Sequence, residues 1–383
     1  MDEHGRKEKV ITITYAITSS SGEIGKIAEE IALEQTVEVP AEVIGDDRVR
    51  EEIVGKVVSI HRTDSETEER CIVEIAYPVI VSNYEIPQFL NLLYGNISFK
   101  RGIRIVDMHF PPEFIRTFRG PKVGLEGMRR LIGVFDRPLV STALKPMGRS
   151  PEELAEMCYQ FALGGIDIIK DDHSLVDFPF CRFEERVTEC MKAIERAEAK
   201  TGKRALYFPN ITGRFERIMN NVEYAMEKNV GGLLVSPFVM GLDCVRHIAE
   251  RDGIDKPVMS HPSLTGIFFA DSETGIAPGL LLGKLFRLIG IDCSVFPNFG
   301  GRFSFDRPTC LSIAGALREE FYHMRSAFPT PAGGMRLENI AEILHFYGKD
   351  IILLIGGALY LKSRDLQEGA RYFCERVSAA CRQ

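Results

Sequence analysis

The sequence predicts an α/β protein in which a smaller N-terminal α+β domain, ferredoxin-like in its element order, precedes a C-terminal (β/α)8 barrel. Three observations lead there. Residues 1–125 carry a strand–helix–strand–strand–helix–strand rhythm. Residues 126–383 repeat a short apolar strand, a polar loop and an amphipathic helix eight times. All but one of those eight strands run into polar or glycine-rich residues at their carboxyl ends.

In the first region VITITYAI (10–17) alternates as a strand does. EIGKIAEEIALEQT then places Ile24, Ile27, Ile31 and Ala32 on one helical stripe. EIVGKVVSIHRT and RCIVEIAYPV read as two strands joined by the charged turn DSETEE. IPQFLNLLYG is a second helix and RIVDMHF a closing strand, after which FIRTFRGPKVGLEGMRRLIG carries the chain into the second region.

The strands expected there are LVSTAL (139–144), IDIIK (166–170), ALYFPN (205–210), GLLVSP (232–237), PVMSH (257–261), CSVFPN (293–298), AFPTPA (327–332) and ILLIGG (352–357). Helices begin near Pro151, Arg182, Phe215, Leu242, Gly279, Pro308, Glu338 and Asp365. Eight such units in roughly 250 residues is the size of a closed barrel. A doubly wound sheet seldom needs eight successive units and usually announces a phosphate loop after its first strand, which this sequence lacks.

Composition narrows the function classes. The 383 residues are 45% hydrophobic and 26% charged, ordinary for a soluble protein with a sizeable core. A net charge of −7 and the lack of a long basic run argue against nucleic acid and anionic membrane as partners. An anionic substrate would need a local trap of amides, Lys or Arg. With no apolar run of membrane-spanning length and an N-terminus (MDEHGRKEKV) unlike a signal peptide, a cytoplasmic protein is expected. The nine cysteines are scattered without a C-x-x-C pair, so reduced, mostly buried thiols are expected rather than a zinc site.

Chemistry in such a barrel is sought at the carboxyl ends of the strands. Lys145 follows the first strand, and Lys170-Asp171-Asp172-His173 the second. Asn210 follows the third, His261 the fifth, and Asn298 with Gly300-Gly301-Arg302 the sixth. Gly333-Gly334 and Gly356-Gly357 follow the seventh and eighth. The Lys-Asp-Asp-His cluster concentrates ionisable groups where desolvation shifts pKa values. Asp is a natural ligand for a hard cation, and a neutral lysine amine that captures CO₂ as a carbamate becomes a second oxygen donor. His173 sits awkwardly in an all-oxygen magnesium shell. The same four residues could equally form a salt-bridged loop. Paired glycines permit tight turns. Two pairs at the strands where barrels hold phosphate, with Arg302 nearby, favour converging backbone N–H groups around an anion. Lys145 could act as a base or charge stabiliser, or simply pair with Asp171 or Asp172. His261 could shuttle protons or be a hydrogen-bonded structural residue.

Together these motifs resemble the RuBisCO large-subunit superfamily over nearly the whole chain. The most specific stretch is GGIDIIKDDHSLVDFPFCRFEERV (164–187), supported by YGNISF (94–99), TFRGPKVGLEG (117–127), ALKPMGRSPEELA (143–155), PAGGM (331–335) and LIGGAL (354–359). The resemblance implies that Lys170 is the carbamylated lysine and Asp172 a metal-binding aspartate, with His173 standing where the family has a metal-binding glutamate. It implies Mg²⁺ as the cofactor, with no nucleotide. Lys145 matches the lysine that assists enolisation and His261 a substrate-contacting histidine. Asn96 matches the asparagine contributed across a homodimer interface, where the N-terminal domain covers the partner's barrel mouth. Gly333, Gly334, Gly356 and Gly357 match barrel glycines, the last two binding one phosphate. Arg302 stands near the position of a flexible-loop lysine, and Glu34 is retained from the N-terminal segment.

The departures place the chain with the RuBisCO-like, form IV branch. Met147 replaces the lysine that protonates a carboxylation intermediate. Pro262 and Ala332 replace an arginine and a serine of the second phosphate pocket, its histidine falls on Val295 or Phe296, and Val39-Pro40 replace a threonine–tryptophan clamp. The reading that uses most of these residues is a non-carboxylating enzyme acting on a monophosphorylated keto-sugar or sugar acid through a Mg-stabilised enediolate. Enolisation or isomerisation is expected. A decarboxylase of a phosphorylated keto-sugar acid, or a degenerate barrel that binds sugar phosphate without turnover, are the alternatives.

Overall fold

The computed structural model describes residues 9–19, 22–63, 69–301, 303, 305–333 and 335–382. The chain divides into two compact units: residues up to Phe118 with Thr265–Leu281, and Arg119–Leu264 with the residues from Leu282 onward. The sequence reading assigned all of 126–383 to the barrel, whereas Thr265–Leu281 groups with the first unit. The one strand in that excursion is two residues long, too short to leave a periodic signal.

The first unit is built on β1 (Val10–Ser19), β2 (Lys56–Thr63), β3 (Glu69–Pro78) and β4 (Ile103–His109). β1 pairs antiparallel with both β3 and β4, and β2 pairs antiparallel with β3. The resulting order β4-β1-β3-β2 is the ferredoxin-like arrangement that the strand–helix rhythm predicts. β1 is central because Ile11, Ile13, Tyr15 and Ile17 load one face with apolar bulk, and all four are buried. β2 lies at the edge and exposes Lys56, His61 and Arg62, charges that discourage further strand pairing. Helix Ile24–Glu34 buries Ile24, Ala28, Ile31 and Ala32, and helix Ile86–Tyr94 buries Ile86, Phe89, Leu92 and Leu93. Gln35 ties the ends of these helices together, its Nε2 donating to Asn91 O at 2.9 Å and Leu92 O at 2.7 Å.

The second unit opens with β5 (Leu139–Leu144), β6 (Ile168–Asp171), β7 (Leu206–Phe208), β8 (Leu233–Val235) and β9 (Val258–Ser260). The chain then lends β10 (Gly275–Ile276) to the first unit, parallel to β4. It returns for β11 (Cys293–Pro297), β12 (Phe328–Ala332) and β13 (Ile352–Leu354). All eight expected barrel strands are present and parallel, in the order β7-β6-β5-β13-β12-β11-β9-β8. The ring closes just beyond β7, where Leu234 N–H donates to Pro209 O at 2.9 Å and Ile211 N–H to Leu234 O at 3.1 Å.

The barrel interior is one apolar cluster that includes Leu139, Ile168, Phe208, Leu234, Met259, Val295, Phe328 and Leu354. Each such side chain contributes roughly 1.5–3 kcal/mol by leaving water. Side chains alternate along a strand, so the positions two residues further on share that inner face. After Ile168 come Lys170 and residue 172, after Phe208 comes Asn210, and after Met259 comes His261. The period that fills the core therefore also lifts the polar residues onto its upper rim. At the opposite end, Asp167 holds Arg137 at 2.7 and 2.9 Å and Val140 N–H at 2.8 Å. Asp292 there accepts N–H groups from Val123, Gly124 and Val258 at 2.8, 2.6 and 2.9 Å.

Candidate active site

Alternation splits the two neighbouring aspartates of the Lys-Asp-Asp-His cluster. Asp171 faces away from the interior towards helix Phe183–Thr201, where Arg186 Nε lies 3.1 Å from its Oδ2 with both side chains fully buried. Tyr207 OH donates to Asp171 Oδ1 at 2.7 Å and Asn210 N–H to Oδ2 at 2.9 Å. Burial is the largest single influence and depresses the Arg186 guanidinium, but the Asp171 charge, with Tyr207 and Cys181 adding to it, outweighs burial and drives its pKa upward. Asp171 is a structural anchor with its capacity filled.

Lys170 and Asp172 take the opposite face. Lys170 is 3% exposed, and its Nζ donates to Asp171 O at 3.0 Å. Burial lowers its ammonium to about 8; Asp172 resists that shift and Lys145 reinforces it. Asp172 meets Lys145 Nζ at 2.9 Å through Oδ2, His173 Nδ1 at 3.3 Å through Oδ1, and Ser174 N–H at 3.0 Å through Oδ1. Burial pushes its pKa up, yet His173, Lys145 and the Ser174 amide together hold the carboxyl well below the usual range. Its Oδ2 is sealed from solvent with the Lys145 charge beside it but no directed hydrogen bond.

His173 stacks on His261, with ring centroids 4.0 Å apart and planes 4° from parallel. His261 Nδ1 lies 2.8 Å from Ser263 Oγ. Burial, joined by the Lys170 and His173 charges, drives the His261 pKa far below the ordinary imidazole value. The ring is therefore neutral at physiological pH.

Three further residues support the site. Asn210 Nδ2 donates to His173 O at 2.8 Å and fixes that turn. Ser263 orients His261. Tyr360 OH donates to Ala143 O at 2.7 Å and accepts from Lys145 N–H at 3.1 Å, clamping the backbone that carries Lys145. Asn210 was legible as a strand-end polar residue. Tyr360 lies in the helix Gly357–Lys362, far away in sequence, and carried no signal. A pocket of about 390 Å³ opens beside Lys145, with Arg149, Arg364 and Tyr360 on its wall.

The remaining predicted residues are distributed as follows. Gly333 follows β12 with φ +77°, a conformation that favours glycine. Gly356 and Gly357 follow β13, and a Cβ added to either would meet nothing, so packing does not require glycine there. Arg302 and Gly334 lie outside the described residues. Asn96 and Glu34 belong to the first unit and are joined to each other, Asn96 Nδ2 donating to Glu34 Oε1 at 2.9 Å. Asn298, polar at its strand end, is buried and accepts from Tyr347 OH at 2.7 Å. The cysteines are all free thiols, six of them buried.

Among the described residues, no three His, Cys, Asp or Glu side chains converge as a metal centre. A divalent cation at this rim would be held more firmly if Lys170 itself became a donor. The residues fit that role: Lys170 shares the inner face with Asp172, whose buried Oδ2 has only the Lys145 ammonium beside it, a charge that a cation could displace. A carbamate on Lys170 would supply a second oxygen, and Mg²⁺ accepts one or two carboxylates while keeping several waters. No helix among the described residues is long and apolar enough to cross a membrane.

Comparison with known proteins places the chain and its fold in a family. Residues 2–114 match the family model for the ribulose bisphosphate carboxylase large chain, N-terminal domain, and residues 124–301 that for its catalytic domain. A crystal structure of a Rubisco-like protein from Rhodopseudomonas palustris superposes with a TM-score of 0.87 at 38% identity, covering 97% of this chain and 98% of that one. The 5-methylthioribulose-1-phosphate isomerase of Rhodospirillum rubrum is 34% identical, over 96% of each chain. The 2,3-diketo-5-methylthiopentyl-1-phosphate enolase of Geobacillus kaustophilus is 33% identical, over 96% of this chain and 92% of that one.

Proposed function

The chain belongs to the ribulose bisphosphate carboxylase large-chain family, and on that premise we propose that it is a non-carboxylating, isomerase- or enolase-type enzyme acting on a monophosphorylated keto-sugar. The observation that carries this reading is Lys145 Nζ held 2.9 Å from Asp172 Oδ2 on the same rim as the buried, easily neutralised Lys170. Lys145, in its neutral form, can take a proton from the carbon next to a ketone and return it to the neighbouring carbon or oxygen. Return to carbon isomerises the sugar; return to oxygen yields the enol.

Lys170, as its CO₂ adduct, and Asp172 would hold a divalent cation, Mg²⁺ being the one the family resemblance implies, with His173 as the third neighbour of that position. The cation would polarise the substrate ketone and stabilise negative charge developing on it. Neutral His261 would hydrogen-bond the substrate. Gly333, Gly334, Gly356, Gly357 and Arg302 would hold a single phosphate. The second phosphate pocket of the family has lost its donors at Pro262 and Ala332, and a second phosphate there would leave several kcal/mol of charge unpaired. Asn96 and Glu34 would complete the site from a second copy, in a cytoplasmic homodimer. The two relatives named above as isomerase and enolase take, by their names, singly phosphorylated five-carbon-chain ketones, which makes that class the first to try.

The test is solvent deuterium exchange, followed by NMR, into 5-methylthioribulose-1-phosphate and the corresponding diketo monophosphate, with bicarbonate and Mg²⁺ present. Exchange or conversion of at least one is expected, together with no incorporation of labelled bicarbonate into ribulose bisphosphate. Absence of exchange across the monophosphate ketoses, or measurable carboxylation, would overturn the reading.

A further inference from the structure

His173 supplies a nitrogen where a hard cation would be served by oxygen, and its surroundings hold it ready for that use. Its ring lies flat on His261 at 4.0 Å, and its backbone carbonyl is pinned by Asn210 Nδ2 at 2.8 Å. Two rings stacked face to face cannot both aim an in-plane lone pair at one cation. At most one of them could be a ligand to a given cation, with the other as its support. His261 has its Nδ1 engaged by Ser263 at 2.8 Å, whereas His173 Nδ1 lies 3.3 Å from Asp172 Oδ1. Two donors about 2.1 Å from a shared cation, at angles between octahedral and tetrahedral, stand about 3.0–3.4 Å apart. The imidazole and carboxylate are therefore already spaced as neighbouring ligands. A cation would take the place of the hydrogen now bridging them.

We propose that this rim is a mixed nitrogen–oxygen cation site, with His173 Nδ1, an Asp172 oxygen and the Lys170 carbamate as protein donors. It selects a first-row transition dication such as Mn²⁺ or Co²⁺ over Mg²⁺. Imidazole suits the borderline transition metals, while Mg²⁺ draws its shell from oxygens. His261, fixed by Ser263, is the positioning residue that keeps the His173 ring plane turned towards Asp172. The inference rests on the proposed function only for its carbamate arm; the His173–Asp172 spacing is independent of which substrate is turned over.

The full chain, in bicarbonate buffer, is titrated with Mn²⁺ alone and then with Mg²⁺ in competition, read by the free-Mn²⁺ EPR signal. Mn²⁺ is expected to bind at least tenfold more tightly than Mg²⁺, and pulsed EPR of the bound ion to show imidazole nitrogen coupling. His173→Glu should erase that coupling and shrink the preference by tenfold or more. His173 is exposed enough for this variant to fold, which thermal unfolding verifies. His261→Phe preserves a stacking surface and should keep the coupling. The proposal is overturned by bound Mn²⁺ without nitrogen coupling, by coupling that survives His173→Glu, or by absence of Mn²⁺ binding. Turnover with Mg²⁺ at full rate and no nitrogen coupling would sink this inference alone. Nitrogen coupling without any substrate exchange would sink the proposed function alone.

Discussion

The two ends of the barrel use charge in opposite ways. At the amino end Asp167 and Asp292 have their hydrogen-bonding capacity occupied. Asp167 holds Arg137 through both oxygens, Asp292 collects three N–H groups, and Arg129 spans Asp350 at 2.7 Å and the carbonyls of Val134, Arg137 and Lys349. At the carboxyl end Asp172 keeps one oxygen without a directed bond, and Lys170 has a single backbone partner among its described contacts. Filled groups hold the fold together, whereas groups with capacity left over are available to a ligand. Asp171 and Asp172 set the same contrast between adjacent residues, one anchored by Arg186 and Tyr207, the other open to the rim.

The largest effect that would break this comparison lies at the open end. Lys145→Met should lower proton exchange by about 10³-fold, a typical loss for a general base, while leaving the thermal midpoint within a few degrees. Loss of stability in parallel with activity would show that Lys145 holds the fold. The next effect separates the neighbours. Asp171→Ala leaves the Arg186 charge unpaired and fully buried, and should cost about 3–5 kcal/mol in urea unfolding. Asp172→Ala also frees the Ser174 N–H, but it releases Lys145, whose side chain is 42% exposed and can relax into water, so it should cost less, about 1–2 kcal/mol. Equal costs for the two variants would erase the distinction.

The barrel was legible because its signal is periodic and repeated: apolar strands such as LVSTAL and CSVFPN fall where the structure puts β5 and β11. The ferredoxin-like order was legible for the same reason. The excursion Thr265–Leu281 was not, since a two-residue strand has no period. Within the site, Lys145, Lys170, Asp172, His173 and His261 could be found as polar residues directly after apolar strands. Which of two consecutive aspartates faces inward depends on register, and the sequence window IDIIK stops one residue before the strand does. The clamp of Tyr360 on Lys145 joins residues far apart in the chain, and no local pattern records it.

The smallest effect sharpens the comparison at the closed end. Asp292 is satisfied in hydrogen bonds but not in charge: burial lifts its carboxyl to about 6, against three backbone N–H groups and the more distant Arg325. Asp172 is the reverse, its Oδ2 facing the Lys145 charge at 2.9 Å and only one backbone N–H, that of Ser174, bonded to it. A folded-state pKa above the unfolded value of about 3.9 means the native chain keeps a proton that the unfolded chain has released. The stability due to Asp292 is therefore fully present below about pH 4 and is lost as the pH rises through about 6, by an amount on the order of 2–3 kcal/mol. Asp292→Asn cannot ionise in either state and turns an amide N–H₂ towards a cluster of donors, so it should be less stable throughout. The gap between wild type and variant should be widest near pH 4 and narrow towards pH 7, as read from urea unfolding at each pH. A gap that instead widens with pH would mean that three amides outweigh burial, and that the amino end stabilises its carboxylates as anions just as the rim does.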